Sequence, residues 1–410
     1  MTRVMLLIPT ASYRAPDFMA AADRLGLEVV VGSDRGQPLA DQFPGKTLTA
    51  SFAQPEEGAR EIVRFADAYP LDAIVAVDDG GTILAAEASQ QLRLPHVGLD
   101  AVRASRDKVL MRELLDAAGS DAPGWRVASF DDDPRTLAKA VSFPCVIKPV
   151  SLSGSRGVMR ADDTKSFAAA VQRLRAILER PEVQEECAGD AERFLVEDFI
   201  PGIEVSVEGL VTEGGLHVLT LFDKPDPLDG PFFEETIYVT PSRFPRATQE
   251  AVAQATERAT AALGIVSGPV HAELRINDDG IYPIDIAARS IGGLCARTLT
   301  FGTGMSLEEI ILRQATGAPI DSFDREEQAS GVMMIPIPRS GTLQEVEGIA
   351  AAEGVSGVSE VTISIRVGRP VLALPEGAEY LGFIFARADT PEEVESALRE
   401  AHQRLRFQIR

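Results

Sequence analysis

Two acids and an arginine within Val270–Gly293, VHAELRINDDGIYPIDIAARSIGG, are the residues best spaced to do chemistry. His271 to Ile276 is apolar-rich, Asn277-Asp278-Asp279-Gly280 is turn chemistry, and Ile281 to Ala287 is apolar again, so the stretch predicts two strands joined by a turn. Side chains alternate along a strand, which fixes the faces taken by Glu273 and Asp285. Two carboxylates on either side of such a turn can converge on one cation. Arg289 follows Asp285 by four residues, just before Gly292-Gly293. Acids for Mg²⁺, an arginine for phosphate and glycines for close backbone approach would make one phosphoryl-handling site. An exposed hairpin with ordinary charged residues fits the same letters as well.

Four other groups carry candidate chemistry. In FPCVIKPVSLSGSRGVM, residues 143–159, a short apolar strand ends at Lys148, and a small-residue loop, Ser151 to Gly157, follows. Such a loop can lay backbone N–H groups along phosphate oxygens, with its serines and Lys148 as further donors, although a bare linker reads the same way. No GK[ST] closes it, so it is not a Walker A loop. A lysine leaving a buried strand needs a counter-charge. Lys108 lies in the first turn of a helix that Ser105 would cap, with Leu110, Leu114 and Leu115 on its apolar face and Gly119 at its end. A helix N-terminus disfavours a cation, which hints at an anionic ligand against the plainer reading of a solvated lysine. In FLVEDFIPGIEVSVEGL, residues 194–210, Glu197 and Glu204 flank a Pro201-Gly202 break between two strands. The segment would set acids and amides around something flat, or form an ordinary hairpin. The Pro-, Gly- and Asp-rich residues 220–245 read as a long functional loop with Lys224, Glu234 and Ser242 as contacts.

These groups need a scaffold, and the first 95 residues alternate strand and helix signals, as in a parallel sheet with helices on its faces. Asp78-Asp79 closes the third strand, where open sheets place ligands, and helix capping is the favoured alternative for these two acids. There is no GxGxxG. Beyond Gly293, Ser306/Glu309, Thr342/Glu345 and Thr390/Glu393 read as capping boxes, the last with Pro391 at the first helical position. The tail after the Pro319–Gln328 linker predicts strands over 332–337, 360–366 and 381–386 with helices over 343–353 and 391–404.

At 410 residues the chain exceeds one ordinary core, with about 100–200 residues expected per domain. A formal charge of −22 argues against nucleic acid as a bulk partner, while a Mg²⁺-bound nucleotide stays compatible through local cations. Cys145, Cys187 and Cys295 are scattered, with no metal-ligand spacing, and read as buried thiols of a reducing compartment. No run reaches the ~20 apolar residues of a bilayer span. MTRVMLLIPT fits a first strand better than a leader peptide. A soluble, cytoplasmic protein without a membrane partner is expected.

The order of these signals is more specific than any one of them: a helix lysine (Lys108), a strand-end lysine (Lys148), a small-residue loop, EDFIPGIE, then acid, turn, acid and arginine. This series resembles the ATP-grasp superfamily over about residues 1–315, and the tail matches it more loosely. The resemblance implies a multidomain α/β and α+β fold. It comprises an N-terminal open parallel-sheet domain (1–100), two α+β ATP-grasp subdomains (101–195 and 196–318) and a small α+β domain (319–410). It implies that Lys108 and Lys148 hold the ATP phosphates under a flap containing Ser151, Ser153, Gly154, Ser155 and Gly157. Glu197 and the backbone through Asp198, Phe199 and Ile200 would read adenine, and Glu204 the ribose. Glu273 and Asp285 would bind Mg²⁺ (or Mn²⁺), and Arg289 would stabilise the reacting phosphate. Many members carry an asparagine two residues after the second acid, where this chain has Ala287. The phrases YVTPS, IAARSIGG and MMIPIPRSG are similar to those of L-amino-acid ligases. That implies a small carboxylate joined to an amine through an acyl phosphate, with Lys224, Glu234, His271, Ser290, Gly292 and Gly293 on the substrate side. His271 reads equally as a proton carrier or an oriented core histidine. A bicarbonate-activating carboxylase shares the phosphate chemistry, but no carrier-lysine segment is evident; a non-catalytic nucleotide binder would have no need of Arg289. A homodimer rests on family analogy alone.

Overall fold

The computed structural model describes residues 2–10, 12–36, 45–187 and 190–410. Arg3–Leu7 is buried along nearly its whole length because it is one of the two inner strands of a wholly parallel sheet. The order is Thr47–Thr49, Glu28–Ser33, Arg3–Leu7, Ala73–Ala76. A strand covered on both faces reads as a continuous apolar run, as RVMLL does. Met5 and Leu7 pack with Ile62 and Leu84 of the helices Pro55–Ala68 and Thr82–Leu92. Val4 and Leu6 face the other way, into a core shared with Phe18, Phe301, Ile310 and Phe383. That shared core seats the carboxyl edge of the sheet, and with it Asp78 and Asp79, over the rest of the molecule.

Two further sheets form the walls of a cleft. One is antiparallel, in the order Trp125–Ser129, Arg193–Asp198, Cys145–Pro149, Met159–Ala161. The helix Thr164–Leu178 covers it with Phe167, Val171, Leu174 and Leu178, apolar residues at helical spacing, and Asp163 caps that helix. The other sheet has eight strands. Its order is Gly280–Ala287, Gly268–Asn277, Ile203–Thr212, Gly215–Asp223, Ile237–Thr240, Ala329–Ile335, Gly382–Ala388, Val358–Ile363. The last three strands belong to the tail, so the sheet runs without a break from the predicted hairpin into the C-terminal region. A three-stranded sheet of Pro370–Val371, Gly341–Glu347 and Arg406–Ile409 completes the molecule. No helix among the described residues is long and apolar enough to cross a membrane.

Three local expectations are corrected. Arg193–Asp198 and Ile203–Thr212 belong to different sheets, so Pro201-Gly202 is the crossover between cleft walls and not a hairpin turn. Gly202 has φ +123°, and a Cβ there would lie 2.2 Å from the carbonyl oxygen of Ile276, so glycine is required on both counts. The helix carrying Lys108 starts two residues later than a Ser105 cap implies, because Asp107 accepts the amides of Val109 and Leu110 at 2.8 and 3.0 Å; Ser105 bonds Val102 in the preceding helix instead. Thr342 and Glu345 do not cap a helix but lie in the strand Gly341–Glu347, paired with Arg406–Ile409; helix remains only over Ile349–Glu353. Pairing with the chain terminus outweighs the local capping signature there. The other two boxes form as expected.

Candidate active site

The cleft between the two walls holds a cavity of about 230 Å³. On its first wall Lys108 opens the helix Lys108–Ala117 and donates from Nζ to the Leu152 carbonyl at 2.8 Å. Burial pulls its pKa down, and Lys148 and Arg106 add to this against Asp285 and Asp79. Lys148 ends the buried strand Cys145–Pro149, and its counter-charge is Glu197, 2.6 Å away. The second Glu197 oxygen accepts from Arg112 Nε at 2.7 Å. Burial works against the Glu197 carboxylate, but Arg112 and Lys148 overcome it and hold its pKa down at about 2. Both oxygens are thus committed to cations, and the backbone of Asp198, Phe199 and Ile200 is what this segment offers a flat ligand. Arg275 holds that backbone in place, donating to the Ile200 carbonyl at 2.7 Å and to Glu204 at 3.0 Å.

The small-residue loop arches over this wall. Gly154, Ser155 and Gly157 all have positive φ (63°, 55° and 75°), the conformation that turns successive amides to one side. Ser153, Gly154 and Ser155 line the cavity; Ser151 and Gly157 do not. Gly157 instead packs where a Cβ would press on Leu174, 2.8 Å away.

The second wall carries the acids. Glu273 and Asp285 are direct cross-strand partners, which puts both carboxylates on one face, as the hairpin reading required. Asp285 Oδ1 is buried with no hydrogen-bond partner among the described residues, an acceptor free to meet a cation. Glu204, Glu235 and Glu273 each present an oxygen within 4.8 Å of the others. Lys224 sits among them, bonding Glu204 at 2.9 Å, Glu273 at 3.0 Å, and Glu235. Burial would discharge Lys224, but the three carboxylates hold it charged. Burial and the neighbouring Glu273 push Glu235 up to about 8 against Lys224. His271 lies 3.2 Å from Glu208 and 3.7 Å from Glu273; these bonds outweigh its burial and raise its pKa to about 8.

Arg289 faces the acids and is fixed from the N-terminal sheet. Its Nη2 donates to Asp79 at 3.0 Å and its Nη1 to the Ser290 carbonyl at 3.0 Å, while Arg106 approaches Asp79 at 3.4 Å. Asp79 therefore opens the 3₁₀ turn Asp79–Gly81 without capping it. The remaining end of the cavity is aromatic and apolar, with Tyr13, Tyr238, Tyr380 and Met334 on its surface beside Gly292 and Gly293.

Some expected contacts fall elsewhere. Glu234 does not line the cavity; its neighbour Glu235 does. Lys224 is buried behind the acids, and Ser242 bonds Asp223 at 2.5 Å. Ser290 Oγ accepts from the buried Arg14 at 2.7 Å. Sequence reading missed Arg112, Arg275, Glu235 and the three tyrosines. Arg112 alone left a local trace, as a charge among Leu110, Met111, Leu114 and Leu115 on a helix that buries that side.

Comparison with known proteins places these elements in a family frame. The ATP-grasp domain family matches residues 141–298, the ATP-grasp N-terminal domain family matches 19–96, and the L-amino acid ligase C-terminal domain 2 family matches 333–410. Alanine–anticapsin ligase of Bacillus subtilis (strain 168) is 24% identical over 72% of this chain, which spans 65% of that protein. Dapdiamide A synthase of Enterobacter agglomerans is 29% identical over 55% of this chain and 52% of its own length. The crystal structure of L-amino acid ligase from Bacillus licheniformis shares the fold with a TM-score of 0.80 over 100% of this chain and 99% of that one, at 24% identity.

Proposed function

Because the chain belongs to the ATP-grasp superfamily and to its carboxylate–amine ligases, we propose that it joins a small organic carboxylate to an amine, consuming ATP. The observation that carries this reading is the convergence of Glu273, Asp285, Arg289, Lys108 and Lys148 on one cavity. A carboxylate is a poor electrophile, so its oxygen first attacks the γ-phosphorus and ADP leaves. The amine nitrogen then attacks the acyl carbon, phosphate leaves, and the nitrogen gives up a proton.

Phosphoryl transfer asks a protein chiefly to position reactants and to neutralise developing charge. Lys108 and Lys148 hold the nucleotide phosphates, with Lys148 aimed by Glu197. The Asp198–Ile200 backbone takes the adenine, and the Ser151–Gly157 loop closes over the phosphates. Arg289 stands where charge builds on the transferred phosphoryl group. Glu273 and the free oxygen of Asp285 are hard donors that would hold Mg²⁺, and the ion would offset the charge of the phosphates. Ala287 supplies no ligand at the position where many members have asparagine.

The aromatic end supports an organic carboxylate over bicarbonate, which has no body for Tyr13, Tyr238, Tyr380 and Met334 to enclose. Glu235, at the border of that end, suits an ammonium group on the same substrate, as an amino acid carries. Phosphate release from MgATP across amino acids and amines, singly and paired, with and without bicarbonate, tests the reading. Release that needs a carboxylate and an amine together, with an amide seen by mass spectrometry, is the expected result. Release driven by bicarbonate alone would refute it.

A further inference from the structure

The phosphate flap is not held by its own subdomain alone. The Gly157 amide donates to the carbonyl of Pro375 at 2.9 Å, and Arg156 Nε donates to the carbonyl of Glu376 at 3.2 Å. Gly154 lies so close to Ala378 that a Cβ on it would stand 3.4 Å from the alanine methyl. Below the flap, Arg173 on the helix Thr164–Leu178 grips the Glu376 side chain with both arms, Nε to Oε1 at 2.6 Å and Nη2 to Oε2 at 2.8 Å. A forked pairing of guanidinium and carboxylate fixes orientation as well as distance. Glu376 thus joins two elements of the ATP-grasp wall to a turn some 200 residues later in the chain. Pro375 and Glu376 lie outside the cavity, whereas Ala378, two residues on, lines it beside Gly154.

We propose that Pro375–Ala378 is the latch of the phosphate flap, and that Glu376 is a positioning residue that keeps the flap shut between phosphoryl transfer and amine attack. The proposal rests on the reading of Ser151–Gly157 as the flap of an acyl-phosphate-forming ligase. Its chemical consequence is coupling. While the acyl phosphate waits for the amine, water can take the acyl group instead, returning the carboxylate and releasing phosphate with no amide formed. A flap held down excludes that water. Glu376 does not line the cavity, so its loss acts through flap position and not through a missing ligand contact.

The test uses Glu376→Gln, which keeps shape and removes the charge, and Arg173→Gln, which breaks the same fork from the other side. Hydrogen exchange of the 151–158 segment with MgADP present is the first readout, and the ratio of phosphate to amide the second. Both variants should exchange this segment about two- to fivefold faster than the wild type, the upper range expected for one exposed but forked ion pair. Exchange at Cys145–Lys148 should stay unchanged. Phosphate should exceed amide severalfold in each variant, with the excess largest at low amine concentration. The reciprocal double variant, Arg173→Glu with Glu376→Arg, should recover part of the coupling. Unchanged flap exchange with phosphate and amide still equal would overturn the latch. If the wild type makes no amide from any substrate pair, the ligase reading fails, and the exchange experiment still decides whether Glu376 holds the flap.

Discussion

Replacing Asp79 by asparagine isolates what the N-terminal sheet contributes to the chemistry. The carboxylate meets Arg289 at 3.0 Å and Arg106 at 3.4 Å, with roughly a sixth of each of these side chains exposed (15% for Arg289, 18% for Asp79, 16% for Arg106). Arg106 and Arg289, with Lys108 further off, hold the Asp79 carboxyl far below the ordinary carboxylate range in spite of its burial. Asparagine preserves the shape and one hydrogen bond to Arg289 but removes the charge. A charge-assisted bond is worth about twice a neutral one, so the arginine loses about 1–2 kcal/mol of orientation after allowance for partial exposure. If Arg289 acts on the transferred phosphoryl group, that loss falls on the transition state and lowers kcat about five- to thirtyfold. Ground-state ATP affinity should hold or tighten slightly, because a freed guanidinium is an extra cation near the phosphates. Steady-state kinetics with varied ATP separates the two terms. A kcat within twofold of wild type, or a KM for ATP that rises while kcat stays, would remove Asp79 from the positioning of Arg289.

Three further outcomes are expected. Glu197→Gln leaves Lys148 and Arg112 buried without their shared counter-charge and should destabilise the protein by about 3–5 kcal/mol in urea unfolding. Lys148→Met leaves Glu197 paired with Arg112 and should cost much less stability while weakening ADP binding at least about tenfold by calorimetry; equal unfolding losses in the two variants would contradict the assignment of roles. Burial pushes the Cys145 thiol up to about 12 and raises Cys187 and Cys295 as well. All three should resist alkylation at pH 8 in the native state and react on unfolding. The native state holds the Cys145 proton more tightly than the unfolded chain. Its contribution to stability is therefore complete below pH 9 and falls away as pH rises from there toward 12.

What the sequence made legible was local. Turn letters and alternation brought Glu273 and Asp285 together across one hairpin, and two of three capping boxes formed. What it hid was which sheet each strand joins. Pro201-Gly202 has the letters of a hairpin, yet Ile203 pairs with Ile276 of the hairpin that carries Glu273 and Asp285, and not with the strand before the break. The threonine and glutamate at 342 and 345 have the letters of a helix start, and a strand at the chain's end claims them. The missed site residues share the same cause. Tyr13, Tyr238 and Tyr380 come from three separate segments, and two of them meet through Phe383, packed against Tyr13 and Tyr380 at ring-centre distances of 5.7 and 6.2 Å. No window of neighbouring letters holds that information.

The same geometry explains how a chain of net charge −22 can present a site for a polyanion. Global charge is a weak guide where individual cations are buried and individually paired. Lys148 and Arg289 each face the cavity from a carboxylate partner behind, Glu197 and Asp79, that balances the charge and fixes its direction. Without those acids, mutual repulsion would spread the cations apart before the phosphates arrived. Lys224 shows the inverse arrangement, one ammonium tying together the three carboxylates of Glu204, Glu235 and Glu273. Arg275 also pairs with Glu204, so the carboxylate of Glu273 and the unpartnered oxygen of Asp285 are what that wall directs at the cavity. One wall thus offers cations to the cavity and the other carboxylates, the pairing of charges that a phosphate accompanied by a divalent cation would need.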